Sequence, residues 1–340
     1  MQTTKPKILV THAVFPDVVA RLQSYFDVDV NDSGIPLSEA ELIRRAADKD
    51  GLLVVGDRIP AALVEQAPRL KALANMAVGY NNLPLDVMTP RGIVGTNTPD
   101  VLNETTADLA WALLMATARR ITEAEHFLRA GKWQSWHYDM LTGVDVYGAT
   151  LGVVGMGRIG QAVARRAQGF GMRVMYHNRS RVALDIEQAL RAEWVDRDTL
   201  LQQADHVVLV LPYTPQVHHL IGARELQLMK PTATLVNIAR GGIVDDAALV
   251  AALQEKRIAG AGLDVFEGEP ALHPGFLSLS NVVLTPHIGS ASIPTRRAMA
   301  NLAADNLIAA LGFGPRAGNP PNVVNPDAHR HGAASGAAAT

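Results

Sequence analysis

Short apolar runs alternate with helix-like segments along almost the whole chain, in two successive series. The first series comprises KILVTH, FDVDV, GLLVVG, LKALANMAVG and GIVGTN; the second comprises TLGVVG, RVMYH, HVVLVLP, ATLVNIA, AGAGLDVF and NVVLTP. Each run is short, rich in branched residues and bounded by Gly, Pro, Asn or Asp, which is the pattern of strands. Strands that alternate with helices build parallel sheets wound with crossover helices. Two series therefore predict two α/β domains. Between the strands, Ser38 followed by Glu41 opens one helix as a capping box. A long apolar helix is expected from about Asn103 to Arg129, and a last helix from about Ile293 to Leu311.

The last helix follows the second series and is too long for a linker. It leads into PPNVVNP, a stretch suited to packing, so the chain is expected to return to the first domain. The expected division is residues 1–102 plus 290–326, residues 103–289, and a tail over 327–340. The tail, DAHRHGAASGAAAT, is low in complexity, which predicts disorder; His329 and His331 within it read as solvated side chains.

Composition narrows the function. The chain has no cysteine, which excludes disulfides, thiolate catalysis and cysteine-ligated metals. A net charge of -2 gives no bulk attraction to nucleic acid or to an anionic membrane. No apolar run reaches the ~18 residues of a membrane span. The start, MQTTKPKILVTHAV, lacks the apolar core and cleavage site of a signal peptide. A cytoplasmic protein without nucleic-acid or membrane partners is expected.

LGVVGMGRIG carries glycines at 155, 157 and 160, spaced as G-x-G-x-x-G. The spacing alone is weak. Here it follows an apolar strand and opens the helical run QAVARRAQGF, which is the context a dinucleotide cradle requires. Gly155 permits the tight turn, Gly157 lets the backbone approach a pyrophosphate, and Gly160 allows close packing of helix on strand. The N–H groups of the helix start, at Arg158 and Ile159, then face the anion. The next strand ends VMYHNRSR, where dinucleotide-binding proteins usually carry an acid for the ribose hydroxyls. Asn178 removes the repulsion that an acid would exert on a 2′-phosphate. Arg179 and Arg181 supply positive charge and Ser180 a donor. The pattern favours NADP(H), with NAD(H) possible.

Three later stretches each place polar residues at the end of an apolar strand: LVNIARGGIVDD with Arg240, GLDVFEGEP with Asp264 and Glu269, and LTPHIGSAS with His287. In an open α/β sheet the ligand crevice lies beyond the carboxyl ends of the strands. Arginine suits a planar carboxylate, and histidine exchanges a proton near neutral pH when a carboxylate fixes its tautomer. An anion clamp, a base and an orienter beside a hydride carrier describe a keto-acid reductase.

Over residues 5–326 the chain resembles the D-isomer-specific 2-hydroxyacid dehydrogenase family. The motifs that carry the likeness are TLGVVGMGRIGQAVARRAQGFGMRV, NIARGGIVDDAALVAAL, AGAGLDVFEGEP and NVVLTPHIGSA. Within the family the stretches NMAVGYNN, GKWQSW and YHNRS are most similar to the glyoxylate/hydroxypyruvate and 2-ketogluconate reductases. The resemblance implies two Rossmann-like domains with a cleft between them: a discontinuous flavodoxin-like substrate domain and a doubly wound NAD(P)-binding domain. It implies that Arg240 binds the substrate carboxylate, that Glu269 orients His287, and that His287 is the general acid/base. It assigns Val78 and Gly79 to the substrate, and Asp264 to the nicotinamide carboxamide. Thr106 falls near the cofactor phosphates, with Leu211, Pro212, Ile238, Ala239 and Gly289 as further cofactor contacts. It implies a homodimer. Trp136 is then either a specificity residue reaching the partner's site or an ordinary interface or core aromatic. Val217 stands where many members of the family carry a threonine, which bears on one polar cofactor contact and not on the activity. No metal is implied. Formate dehydrogenases of the same fold place glutamine at the position of Glu269, phosphonate dehydrogenase keeps all three catalytic types, and a dinucleotide-sensing corepressor would need longer flanking segments.

Overall fold

The computed structural model describes residues 4–328. These divide into two compact units, residues 4–102 with 292–328, and Asn103–Ala291.

The first unit holds β1 (Lys7–Val10), β2 (Asp27–Val30), β3 (Gly51–Val54), β4 (Ala72–Asn75) and β5 (Val94–Thr96). They form one parallel sheet in the order β2-β1-β3-β4-β5. This is the flavodoxin-like doubly wound order. The inner strands are apolar runs because both faces are covered, and Leu9, Leu52, Leu53 and Leu73 have no exposed surface. Each such side chain contributes about 1.5–3 kcal/mol by leaving water. The edge strand β2 instead alternates as DVDV and stays partly exposed. Ser38 caps the helix Glu39–Ala46, its hydroxyl accepting the Glu41 N–H at 3.3 Å.

The chain does return. The helix Ile293–Ala310 packs on β3, β4 and β5. Beyond it Val323 forms an antiparallel bridge with Thr96. The Asn325 amide closes the join, accepting the Gly95 N–H at 2.7 Å and donating to the Ile93 carbonyl at 2.9 Å. That anchor extends order past Pro326. Ala328, expected to lie in the tail, has no exposed surface and donates its N–H to Asn325 at 3.0 Å. The rest of the expected tail, with His329 and His331, lies outside the described residues.

The second unit holds β6 (Thr150–Val154), β7 (Arg173–His177), β8 (Ala192–Trp194), β9 (His206–Leu209), β10 (Thr234–Asn237), β11 (Gly260–Leu263) and β12 (Val282–Leu284). All pairs are parallel, in the order β12-β11-β10-β9-β6-β7-β8. Counted from β6, this is the dinucleotide-binding order with the winding reversing between β6 and β9. The edge strand β8 was not expected, because AEW is short and carries a charge.

The long helix expected over Asn103 to Arg129 is two helices, Asn103–Ala118 and Ile121–Arg129. Arg120 between them lies at φ 52°, the left-handed region. The Ala118 carbonyl accepts the Val144 N–H at 2.9 Å, so a loop competes for a helix carbonyl where the break falls. The helix Asn103–Ala118 is fixed to the helix Arg158–Ala167 by Trp111, whose indole N–H donates to the Val163 carbonyl at 3.0 Å. Among the described residues no helix is long and apolar enough to cross a membrane.

Candidate active site

All elements of the site in the second unit lie just past the carboxyl ends of its parallel strands. The cradle follows β6. Gly155 sits at φ 106°, and a Cβ there would lie 2.4 Å from the Val210 carbonyl oxygen, against the segment that leads into Leu211 and Pro212. A Cβ on Gly160 would lie 2.1 Å from the Gly155 oxygen, so only glycine lets the helix start this close to the turn. Gly157 differs: it precedes the helix Arg158–Ala167, and a Cβ there would meet no atom within 4 Å. Its bareness opens a path from outside to the backbone. No side chain caps this helix. The N–H groups at Arg158 and Ile159 thus start a helix whose positive end faces open space, an anion site by geometry and by dipole. These features fit the pyrophosphate of a nicotinamide dinucleotide.

The segment after β7 is organised differently from the expectation. Asn178 is part of the cradle itself: its side-chain oxygen accepts the Met156 N–H at 2.7 Å, and its carbonyl accepts the Trp194 indole N–H at 3.1 Å. Arg181 is not a free cation. Its guanidinium grips the buried Glu187 with bonds of 3.0 and 2.7 Å, and Glu187 also accepts from the Tyr176 hydroxyl. The bonds from Arg181 and then Tyr176 hold the Glu187 carboxyl below the usual carboxylate range. Tyr176 is wholly buried, so Glu187 is the polar partner its hydroxyl needs, and Arg181 balances the charge. Arg179 and Ser180 are exposed, and Arg179 makes no ion pair among the described residues.

A carboxylate–histidine pair joins the loop after β11 to the turn after β12. Glu269 Oε2 lies 2.8 Å from His287 Nδ1, while Glu269 Oε1 accepts the Phe266 N–H at 2.9 Å. Burial pushes the Glu269 carboxyl up, but the bonds from His287 and Phe266 and the charges of His287 and Arg240 outweigh it and hold it below its ordinary value. An ionised carboxylate only accepts, so Nδ1 of His287 donates and Nε2 is left to exchange a proton. His287 itself lies at φ 52°. A non-glycine residue in that region is held there by its surroundings. The holder is Asp264, buried at the end of β11. Its carbonyl accepts the His287 N–H at 2.9 Å, and its carboxylate accepts from the Thr285 hydroxyl and from the Ile288 and Gly289 N–H groups at 2.7–2.8 Å. Burial dominates those bonds and raises the Asp264 carboxyl. One lone pair of Oδ2 remains for a further donor.

Arg240 follows β10 in a turn shaped by Asn237, whose amide accepts the Ala239 N–H at 3.0 Å and donates to the Arg240 carbonyl at 3.3 Å. Ile238 and Ala239 are buried behind it. Burial lowers the Arg240 guanidinium and the charge of Glu269 opposes the fall, which places the two groups in one electrostatic neighbourhood. A Cβ on Gly241 would lie 1.7 Å from the Phe266 carbonyl oxygen, so this glycine allows the Arg240 turn to touch the loop that carries Glu269. Thr106 is buried beside Gly289.

The remaining sequence candidates fall on other segments of the chain. Val78 and Gly79 follow β4 in the first unit, where their carbonyls accept from Asn97 and Asn75 at 2.8 Å. Trp136 is 76% exposed and is not a core aromatic of this chain. The sequence reading missed Asn237, Thr285 and Glu187. The first two are polar residues at strand ends, which was a usable signal; Glu187 lies inside a helix and gave none.

Comparison with known proteins agrees with this geometry. The D-isomer specific 2-hydroxyacid dehydrogenase NAD-binding domain matches residues 111–289. The glyoxylate reductase of Thermococcus onnurineus is 51% identical, over 90% of this chain and 92% of that protein. The glyoxylate reductase of Pyrococcus horikoshii is 47% identical, over 94% and 96% respectively. Among solved structures, the NADPH-dependent glyoxylate/hydroxypyruvate reductase of Sinorhizobium meliloti, in complex with NADP and malonate, superposes with a TM-score of 0.81 at 37% identity, covering 94% of this chain and 97% of that one. The fold order, the glycine cradle and these matches over nearly the whole length make the chain a member of the D-isomer-specific 2-hydroxyacid dehydrogenase family, an NAD(P)-dependent oxidoreductase.

Proposed function

We propose that this enzyme is an NADPH-preferring reductase of small 2-keto acids, with glyoxylate, hydroxypyruvate and 2-ketogluconate as substrates and the D-2-hydroxy acids as products. The observation that carries the reading is the Glu269–His287 pair, 2.8 Å apart, in the same electrostatic neighbourhood as Arg240 and, like the glycine cradle, past the carboxyl ends of the parallel strands. When bound, the reduced dinucleotide supplies a hydride to the carbonyl carbon of the substrate. Gly155, Gly157, Gly160 and the helix start hold its pyrophosphate, and Thr106, Leu211, Pro212, Ile238, Ala239, Asp264 and Gly289 surround the rest.

Arg240 fits the keto-acid role because its planar fork pairs with a carboxylate and its charge polarises the adjacent carbonyl. Val78 and Gly79 are assigned to the same carboxylate. His287 Nε2 gives its proton to the alkoxide that forms, and Glu269 keeps the ring oriented. The side chains of His287 and Glu269 are 48% and 32% exposed, so the pair is open to a substrate. Preference for NADPH is supported by Asn178 in place of an acid and by Arg179, which makes no ion pair among the described residues. Exposed Trp133, Trp136 and Tyr138 support a homodimer contact.

The test is a panel of the three keto acids, each with NADPH and NADH. Turnover of at least one keto acid, faster with NADPH, is expected. Failure on all three, with oxidation of phosphonate instead, overturns the substrate assignment; equal rates with both cofactors overturn the preference.

A further inference from the structure

We propose that His218, His219 and Glu267 form a binding site for a borderline divalent cation of the Zn²⁺ type. The donor atoms of the three side chains all lie within 4.8 Å of one another. His219 Nε2 is 3.0 Å from one Glu267 oxygen, and His218 Nε2 is 4.0 Å from the other. The two imidazoles lie face to face, centroids 3.9 Å apart and 22° from parallel. A four-coordinate ion with ligands at about 2.0–2.2 Å holds its donor atoms roughly 3.3–3.6 Å apart, so shifts of about 1 Å, with rotation of the imidazoles out of the stack so that their in-plane lone pairs converge, bring the set into place.

The backbone explains why adjacent residues present their rings side by side. His219 lies at φ 51°, outside the extended region in which neighbours point to opposite faces. Its N–H donates to the Gly242 carbonyl at 2.7 Å, which fixes the turn. One outer ring nitrogen is within hydrogen-bond reach of a hydroxyl, and the other lies near a carboxylate. His218 Nδ1 stands 3.2 Å from the Tyr213 hydroxyl, and His219 Nδ1 stands 3.8 Å from the Asp245 carboxylate. Metal-binding histidines are usually held in this way, with the second nitrogen on a hydroxyl, carbonyl or carboxylate and the first left for the ion. Both Nε2 atoms lie within 4.0 Å of the Glu267 carboxylate, so three donors of metal-binding type gather at one point.

The ligand set selects the class of ion. Two imidazoles and one carboxylate suit Zn²⁺, Ni²⁺ or Cu²⁺ and not Mg²⁺ or Ca²⁺, which take oxygen ligands. The side chains are 36–44% exposed, so an ion reaches them without unfolding. Bound there, it would tie the segment after β9 to the loop after β11, two residues from Glu269. The site shares no residue with the dinucleotide cradle or with the Arg240, Glu269 and His287 group, so its test stands apart from the enzymatic reading.

The experiment titrates the full-length chain, freed of any affinity tag and of adventitious metal, with Zn²⁺ by calorimetry and with Co²⁺ by absorption spectroscopy. One ion per chain is expected, together with a rise in melting temperature. His218→Ala and Glu267→Gln should each weaken binding by about 10–100-fold or more. His218→Gln, which keeps a polar side chain without the imidazole, repeats the test if the alanine variant folds poorly. A chain with His329→Ala and His331→Ala must bind as the wild type does. No uptake of Zn²⁺, binding that survives loss of His218, or binding lost with the two tail histidines overturns the site.

Discussion

Adding one methyl group at Gly157 or at Gly160 separates a glycine needed for the ligand from a glycine needed for the fold. At Gly160 the new Cβ would fall 2.1 Å from the Gly155 oxygen, whereas carbon contacts are comfortable near 3.5 Å. The turn must therefore move by roughly 1 Å, and overpacking of this kind costs about 1–3 kcal/mol. In a unit of this size each kcal/mol lowers the melting temperature by about 2–4 °C, so Gly160→Ala should lose about 2–12 °C. At Gly157 nothing lies within 4 Å, and φ is -76°, a conformation alanine adopts freely. Gly157→Ala should leave the cofactor-free protein unchanged or stabilise it by about 0.4–1 kcal/mol through the unfolded chain. Its methyl would instead stand where the pyrophosphate approaches. Losing one charge-assisted bond of about 1.5–3 kcal/mol weakens binding by roughly 10–150-fold. NADPH and NADH share the pyrophosphate, so both should weaken alike. Thermal melts without cofactor and fluorescence titrations with each cofactor measure the two effects. A Gly157→Ala chain that binds NADPH with wild-type affinity would refute the reasoning, because the open space would then not be the cofactor's path.

His287→Ala should keep NADPH affinity and lose about 10²–10⁴-fold in turnover, since only proton transfer is removed; single-turnover kinetics with glyoxylate check this. Arg240→Lys keeps the charge and loses the fork, so the KM of every keto acid should rise while cofactor affinity holds; the reverse pattern would mean that Arg240 serves the cofactor. Arg179→Ala should cost NADPH about tenfold or more in affinity and leave NADH alone. Arg181→Ala should cost NADPH less and lower the melting temperature, because it strips the partner from Glu187, and equal NADPH losses for the two variants would contradict this. His206 is wholly buried between the Thr234 hydroxyl and the Asp145 carbonyl, and burial lowers its pKa. The unfolded chain binds that proton more readily, so the associated stability is present above about pH 6.5 and is lost as the pH falls from there through the lower folded value. His206→Gln should flatten that part of the stability profile in denaturant titrations.

The sheets were legible because a parallel strand buried on both faces must be a short apolar run, and GLLVVG and TLGVVG are such runs. What escaped was set by contacts between distant residues. β8 exists because β7 offers it an edge, and nothing in AEW announces a strand. The helix break at Arg120 coincides with the Val144 amide reaching the Ala118 carbonyl, an event that no local propensity records. The return of the chain was legible in PPNVVNP, but the burial of Ala328 was not; it lies beside Asn325, whose amide pairs with a strand more than two hundred residues earlier.

The site divides along the same line. Arg240, Asp264, Glu269 and His287 could be read as a group because topology alone puts strand ends together, and their chemistry follows from residue type. Which neighbour claims each side chain is decided only in the folded chain. Asn178 was read for the charge it lacks, yet its amide also holds the Met156 N–H, so replacing it with aspartate keeps an acceptor for that bond while adding the charge. Arg181 was read as a phosphate ligand, yet the buried hydroxyl of Tyr176 needs Glu187, and Glu187 needs a cation. Asp264 shows the dependence most fully. It stands under the turn that holds His287 at a positive φ, and three donors of that turn converge on its carboxylate. Asp264 thus fixes the backbone on which the His287 ring is carried. The orientation of His287 is therefore set from both sides, by Glu269 through its ring and by Asp264 through its backbone.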